Sequence, residues 1–366
     1  MISLLTPTAA RIDIGVLITL RVLSGLGEGV MVPAIEALIA RWSAPEYHTF
    51  VVVIIFVGTD VGILVGMFLG GVLCDYGFAG GWPSVFYVFG AFGCIWSVAW
   101  FLLCYNSPST HPRISTVELK YWETRIGATD LTAHPPTPWR KILTSVPVWA
   151  LSVAFFANNW GYYTLVTCLP LYMYDVLGLD MTTNGALSAV PFAESLFINP
   201  VVAVAVDWLR CPGRLSTNVV RKMFIVAGFI LSGCCYILIG LTDCNVALAV
   251  ITICAVMTCI ALEFTNVAAN QLDLAPLHAG KIMGVSYTFA NLGSIAAPLT
   301  VGALTDQQPT RLQWEKMFCI TAIVYGIGAL VFLMFGSGER QSWADDNADD
   351  QAVLREVPEP SKEQTE

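Results

Sequence analysis

Charge is scarce in this sequence. Only 12% of its 366 residues are Asp, Glu, Lys or Arg, about half the share of an average soluble domain. Enzyme signatures are lacking too: there is no P-loop, no G-x-S-x-G, no H-E-x-x-H and no dinucleotide-binding fingerprint. Its eleven cysteines include no CxxC and no metal-ligand spacing, so they read as small hydrophobes and no metal or cofactor is expected. No N-x-Ser/Thr sequon occurs. Met1 to Arg11 offers neither a basic n-region nor an adequate apolar h-region, which predicts no signal peptide. The net charge of −9 comes mostly from residues 337–366, where nine acids face three bases. The remainder is close to balanced and gives no footprint for nucleic acid.

Long apolar runs fill the space that charge leaves. Mean hydropathy is +0.67 and 56% of residues are hydrophobic. Nine runs are long enough to cross a bilayer: 15–40, 49–73, 84–105, 146–172, 185–206, 223–241, 246–268, 282–304 and 316–336. Alternate loops then share one side of the membrane. One set carries twelve Lys/Arg and the other three, which places the basic set and the C-terminus in the cytosol. The organisation predicted is a three-span partial bundle over 1–105 and a cytosolic loop over 106–145. A six-span bundle over 146–336 and a disordered acidic tail over 337–366 follow. Three spans before the long loop and six after it suggest a twelve-span parent lacking its first three spans.

The few charges inside apolar runs are the informative ones. RVLSGLGEG (21–29) holds Arg21 and Glu28, and Glu36 follows. Charges at membrane depth cost roughly 2.5–3.5 kcal/mol each on insertion scales, so they are usually kept to handle an ion or a charged solute. Arg21 and Glu28 lie seven residues apart, about 20° of helix rotation and roughly 10 Å of rise. They share a face yet cannot pair, which suits an anion–proton symporter. The alternative is that Arg21 snorkels and Glu28 bonds a neighbouring helix. Asn158, Asn159, Tyr162 and Tyr163 fit a polyhydroxylated or carboxylate solute, and equally fit hydrogen bonds between helices. Glu263 is a second candidate for proton handling, with an interhelical hydrogen bond as its alternative; Asn266 and Asn270 follow it in the same run. Asp207 and Arg210 could form a cytosolic charge latch. Gly58, Gly62, Gly66 and Gly70 form a small-xxx-small stripe read chiefly as helix-packing surface. Ser115 to Glu118 reads as a capping box.

The sequence resembles the anion–cation symporter family of the major facilitator superfamily, which includes sialin, vesicular glutamate transporters and type I phosphate transporters. RVLSGLGEG (21–29), GWPSVFYVFG (81–90), SPSTHPRIS (107–115), TPWRKILTSVPVWA (137–150), LSAVP (187–191), VVRK (219–222), NQLDLAP (270–276) and GERQSWAD (338–345) occur in family order over nearly the whole chain. The resemblance implies proton coupling at Glu28 and substrate handling at Arg21. Departures fall at Ser24, where sialin-like members carry a second glutamate, and at Glu36, where they carry His. Asn158 stands where the glutamate transporters have Arg, and Gln271 where the family has His.

The resulting expectation is an all-α membrane protein of the major facilitator superfamily fold with about nine transmembrane helices. It would move a small organic anion, sialic acid or an acidic amino acid such as glutamate, by proton-coupled alternating access. Proton coupling falls to Glu28 and Glu263. Substrate binding falls to Arg21, Ser24, Asn158, Asn159, Tyr162, Tyr163 and Asn270. The partners are the anion, a proton or sodium, and the lipid bilayer of a lysosome, a synaptic or secretory vesicle, or the plasma membrane. The alternatives are sodium-coupled phosphate or organic-anion cotransport, and a truncated product that does not transport.

Overall fold

The computed structural model describes residues 2–29, 31, 34–35, 38, 42, 48–106, 108–119, 137–210, 216–242, 245–275, 278–306 and 309–344, with side chains 48–54, 56, 109, 203, 207 and 210 excepted. Among the described residues the regular structure is helical throughout. Two compact units divide the chain. Unit 1 is Met1–Ala133 with Leu179–Ala193; unit 2 is His134–Gly178 with Glu194–Glu366.

Unit 1 contains α1 (Ile2–Ile12), α2 (Ile14–Glu28), α3 (His48–Tyr76), α4 (Trp82–Leu103) and the first part of α7 (Met181–Arg210). Asp13 separates α1 from α2: its carboxylate accepts from Gly15 N–H at 2.7 Å and starts the second helix. The α3–α4 turn depends on glycine. Gly81 has φ +89°, and a Cβ there would collide with the Cys74 carbonyl. Pro83 then sits in the first turn of α4, where its missing N–H costs nothing. Ser84 Oγ ties the turn together by donating to the Leu73 and Gly81 carbonyls.

Among the described residues the Gly58/62/66/70 stripe meets no neighbour: nothing lies within 4 Å of a Cβ built at any of these positions. The close approach is made one residue further on. Gly71 lies against Gly185 of α7, so closely that a methyl on either would strike the other's backbone. Asp75, one turn later, accepts from the Thr182 N–H at 2.7 Å and the Thr182 hydroxyl at 2.6 Å. A carboxylate from α3 thereby caps the start of α7. Ser115 Oγ accepts from Glu118 N–H at 3.1 Å, as the capping box requires; residues 120–136 lie outside the described set.

Unit 2 contains α5 (Trp139–Thr144), α6 (Val146–Asp175), the remainder of α7, α8 (Thr217–Gly240), α9 (Val246–Leu274), α10 (Ala279–Thr305) and α11 (Arg311–Phe335). Helix α6 packs on α10 and α11, and α8 packs on α9 and α11. Small residues set these approaches. Gly293 of α10 lies against the Phe156 carbonyl, and Gly328 of α11 against Ala157. Ser152 and Ser286 meet at 3.2 Å between α6 and α10. Six described helices are long and apolar enough to cross a membrane: Val57–Tyr76, Trp82–Leu103, Met181–Val206, Thr217–Gly240, Val246–Leu274 and Arg311–Phe335. Helices α6 and α10 have the length but carry more polar and small residues.

The beginning of the stretch expected to be a disordered tail is held in place. Gln341 N–H donates to the Leu274 carbonyl at 2.9 Å and Gly338 N–H to Asn218 Oδ1 at 2.9 Å. Asn218 Nδ2 bonds Glu339 at 3.2 Å, Trp343 stacks with His278, and Ala344 is buried. Residues 345–366 lie outside the described set.

Candidate functional site

The sequence-predicted residues fall into two sets. The first lies on α2 in unit 1. Arg21 and Glu28 are both exposed. The Arg21 guanidinium stands 5.2 Å from the centroid of the Phe86 ring on α4, a cation–π contact that leaves its charge unneutralised. Glu28 Oε1 accepts from the Ser24 hydroxyl at 3.0 Å, one helical turn earlier. Helix α2 buries no side chain, so both charges are presented outward. Glu36 lies outside the described residues.

The second set lies inside unit 2, where helix contact replaces solvent. Glu263 of α9 is fully buried and Asn158 of α6 is 1% exposed. Asn158 Nδ2 donates to Glu263 Oε1 at 3.1 Å, joining helices 105 residues apart in sequence. Among the described residues neither Glu263 Oε2 nor the buried Tyr325 hydroxyl makes a hydrogen bond. The packing is tight enough to exclude side chains on both flanks. A Cβ on Gly161 would strike the Tyr325 hydroxyl, and one on Gly228 would press on Glu263. Tyr236 completes the cluster by donating to the Gly161 carbonyl at 2.8 Å and stacking on Tyr325.

Asn158 therefore serves an interhelical bond in this structure, one of the two readings its sequence left open. Asn159, Tyr162 and Tyr163 are half-buried, and the two tyrosine rings meet edge to face at 5.6 Å. Asn270 is fully buried, with neither its Oδ1 nor its Nδ2 in a hydrogen bond. Asp207 and Arg210 lie in α7, but their side chains are outside the described set. Charge is instead locked elsewhere. Arg221, 2% exposed, donates to Asp273 at 2.7 Å and to Asn266 Oδ1 at 2.9 Å. In the sequence Arg221 is one of the twelve Lys/Arg on the basic side of the membrane, with nothing to join it to Asp273. The partners stand 52 residues apart on different helices, so no periodicity links them.

These features define a polytopic α-helical membrane protein whose second unit is organised around polar side chains bonded across helices. A family profile described as Major Facilitator Superfamily matches residues 1–298 and 213–362. The chain belongs to that superfamily. It is 37% identical to "Vesicular glutamate transporter 3" of Danio rerio over 350 residues, covering 94% of this chain and 58% of the relative. Against "Vesicular glutamate transporter 2" of Homo sapiens the identity is 37%, over 94% of this chain and 59% of the relative. A "Putative inorganic phosphate cotransporter" of Drosophila ananassae is 36% identical, over 95% of this chain and 73% of that protein. The relatives are named as transporters, not enzymes.

Proposed function

We propose that this protein is a secondary active transporter of small organic anions, driven by a proton gradient, in a vesicle or plasma membrane. The observation that carries the reading is the exposed pair on α2. Arg21 and Glu28 lie on one helix with neither neutralising the other. An arginine held on an aromatic ring attracts an anion, and its fixed fork suits a carboxylate. A glutamate steadied by a serine can take and release a proton. The names of the vesicular glutamate transporters favour an acidic amino acid as the solute; sialic acid belongs to the same chemical class. Nine spans, three in residues 1–105 and six in 146–336, are part of this proposal. So is a lining role for Asn159, Tyr162 and Tyr163.

Uptake into proteoliposomes tests it, with labelled glutamate, sialic acid and inorganic phosphate compared under proton and sodium gradients. The expected result is organic-anion uptake driven by protons and reduced at least tenfold by Glu28→Gln. Full proton-driven uptake in Glu28→Gln would sink the coupling role. A second reading, sodium-coupled phosphate uptake, draws support from the near-equal identity to the Drosophila phosphate cotransporter. Phosphate uptake under a sodium gradient alone would select it.

A further inference from the structure

A third membrane-embedded carboxyl group, that of Glu194 on α7, is used by neither set. Its Oε1 accepts a hydrogen bond from the Thr258 hydroxyl on α9. Its Oε2 is buried and has no hydrogen-bond partner. The titratable groups facing it are the thiols of Cys254 and Cys259, which flank Thr258 on α9. No cation pairs with it among the described residues. An ionised carboxyl at bilayer depth is too costly to keep on one hydroxyl with only the weakly donating Cys254 thiol beside it, so such a group holds a cation or marks an ion path.

Two features separate Glu194 from Glu263. Glu263 is fully buried and committed to Asn158, whereas Glu194 is half-buried as a residue with its Oε2 buried. Its helix is also locally weakened. Pro191 and Pro200 bracket it, and neither can donate to the carbonyl four residues before.

We propose that Glu194 is a second coupling-proton site, binding the proton at Oε2 while Thr258 donates to Oε1. The proton arrives from water on one side of the membrane and leaves to water on the other. The carboxyl alternates between acid and carboxylate, and Thr258 acts as a positioning residue in both forms. The proposal rests on the transport reading above, and two measurements keep their failures apart.

The first measurement needs no transport. In infrared difference spectra of the purified full chain, taken across a pH titration, Glu194→Gln should remove a protonated-carboxyl band, and Thr258→Val should shift the pH at which it appears. A wild-type spectrum retained whole in Glu194→Gln would overturn the proposal. The second compares gradient-driven uptake with substrate counterflow, for which wild-type counterflow tests the transport reading itself. Glu194→Gln should lose at least tenfold of gradient-driven uptake and keep counterflow within twofold, while Glu194→Asp recovers part of the loss. Equal loss of both activities, or of neither, would overturn it.

Discussion

The two carboxyl groups first singled out, Glu28 and Glu263, show how differently the two units treat a charge. On α2 the carboxyl is exposed and takes its one partner, Ser24, from its own helix. In unit 2 the carboxyl is fully buried and takes its partner, Asn158, from a helix 105 residues away. The same contrast separates the two arginines. Arg21 lies over a ring with its charge unspent, and Arg221 is locked to Asp273 and Asn266. A local partner steadies a side chain without fixing the fold. A distant partner ties helices together, and its loss leaves a buried group exposed to an apolar interior.

That contrast can be broken most severely at Arg221. Arg221→Ala removes the guanidinium from the Asp273 carboxylate and from Asn266 Oδ1, and breaking a buried pair typically costs about 3–5 kcal/mol; thermal unfolding in detergent should show a large fall in midpoint. Gly161→Ala comes next. Its methyl must displace Tyr325, which is fully buried between Phe229 and Tyr236, and overpacking of this kind costs about 1–3 kcal/mol. Ser24→Ala sharpens the comparison from the other side. It removes an exposed contact within one helix, so stability should change by no more than about 0.5 kcal/mol, while any effect appears in the pH profile of uptake.

The smallest expected effect lies at the start of α7. The Thr183 N–H, bonded at 2.9 Å, holds the Asp180 carboxyl below the usual carboxylate range, with help from the Thr183 hydroxyl. A lowered folded pKa means that the cap's contribution is present above the ordinary carboxylate pKa and lost as pH falls through the lowered value. Protection of the Thr183 amide, taken relative to its intrinsic exchange rate, should therefore fall as pH drops below the ordinary carboxylate pKa, and Asp180→Asn should abolish that dependence.

Much of the helical layout could be read from the sequence, because an apolar run long enough to span a bilayer has few other folded forms. The apolar run over 84–105 was legible in the same way: α4 runs Trp82–Leu103, with Gly81 and Pro83 at its start. Pairings between helices were not. The four-residue glycine stripe pointed to α3 packing through Gly58 to Gly70, yet the backbone contact falls at Gly71, whose partner Gly185 lies over a hundred residues on. Asn158 and Glu263 were both visible as polar residues in apolar runs, but only the fold brings them within 3.1 Å. The Arg221–Asp273 pair was hidden because a basic residue at a helix start is equally explained by membrane orientation.

The docked stretch from Gly336 to Ala344 has a practical consequence for anyone attaching a reporter to this protein. Gly338 lies against Asn218 and Arg221 with no room for a side chain, and Gln341 is bonded to the end of α9. A fluorescent domain joined beyond Ala344 would leave that lid seated. The same domain spliced directly after Phe335 would strip the cover from Arg221, and the resulting loss of signal would report a damaged splice rather than an inactive transporter.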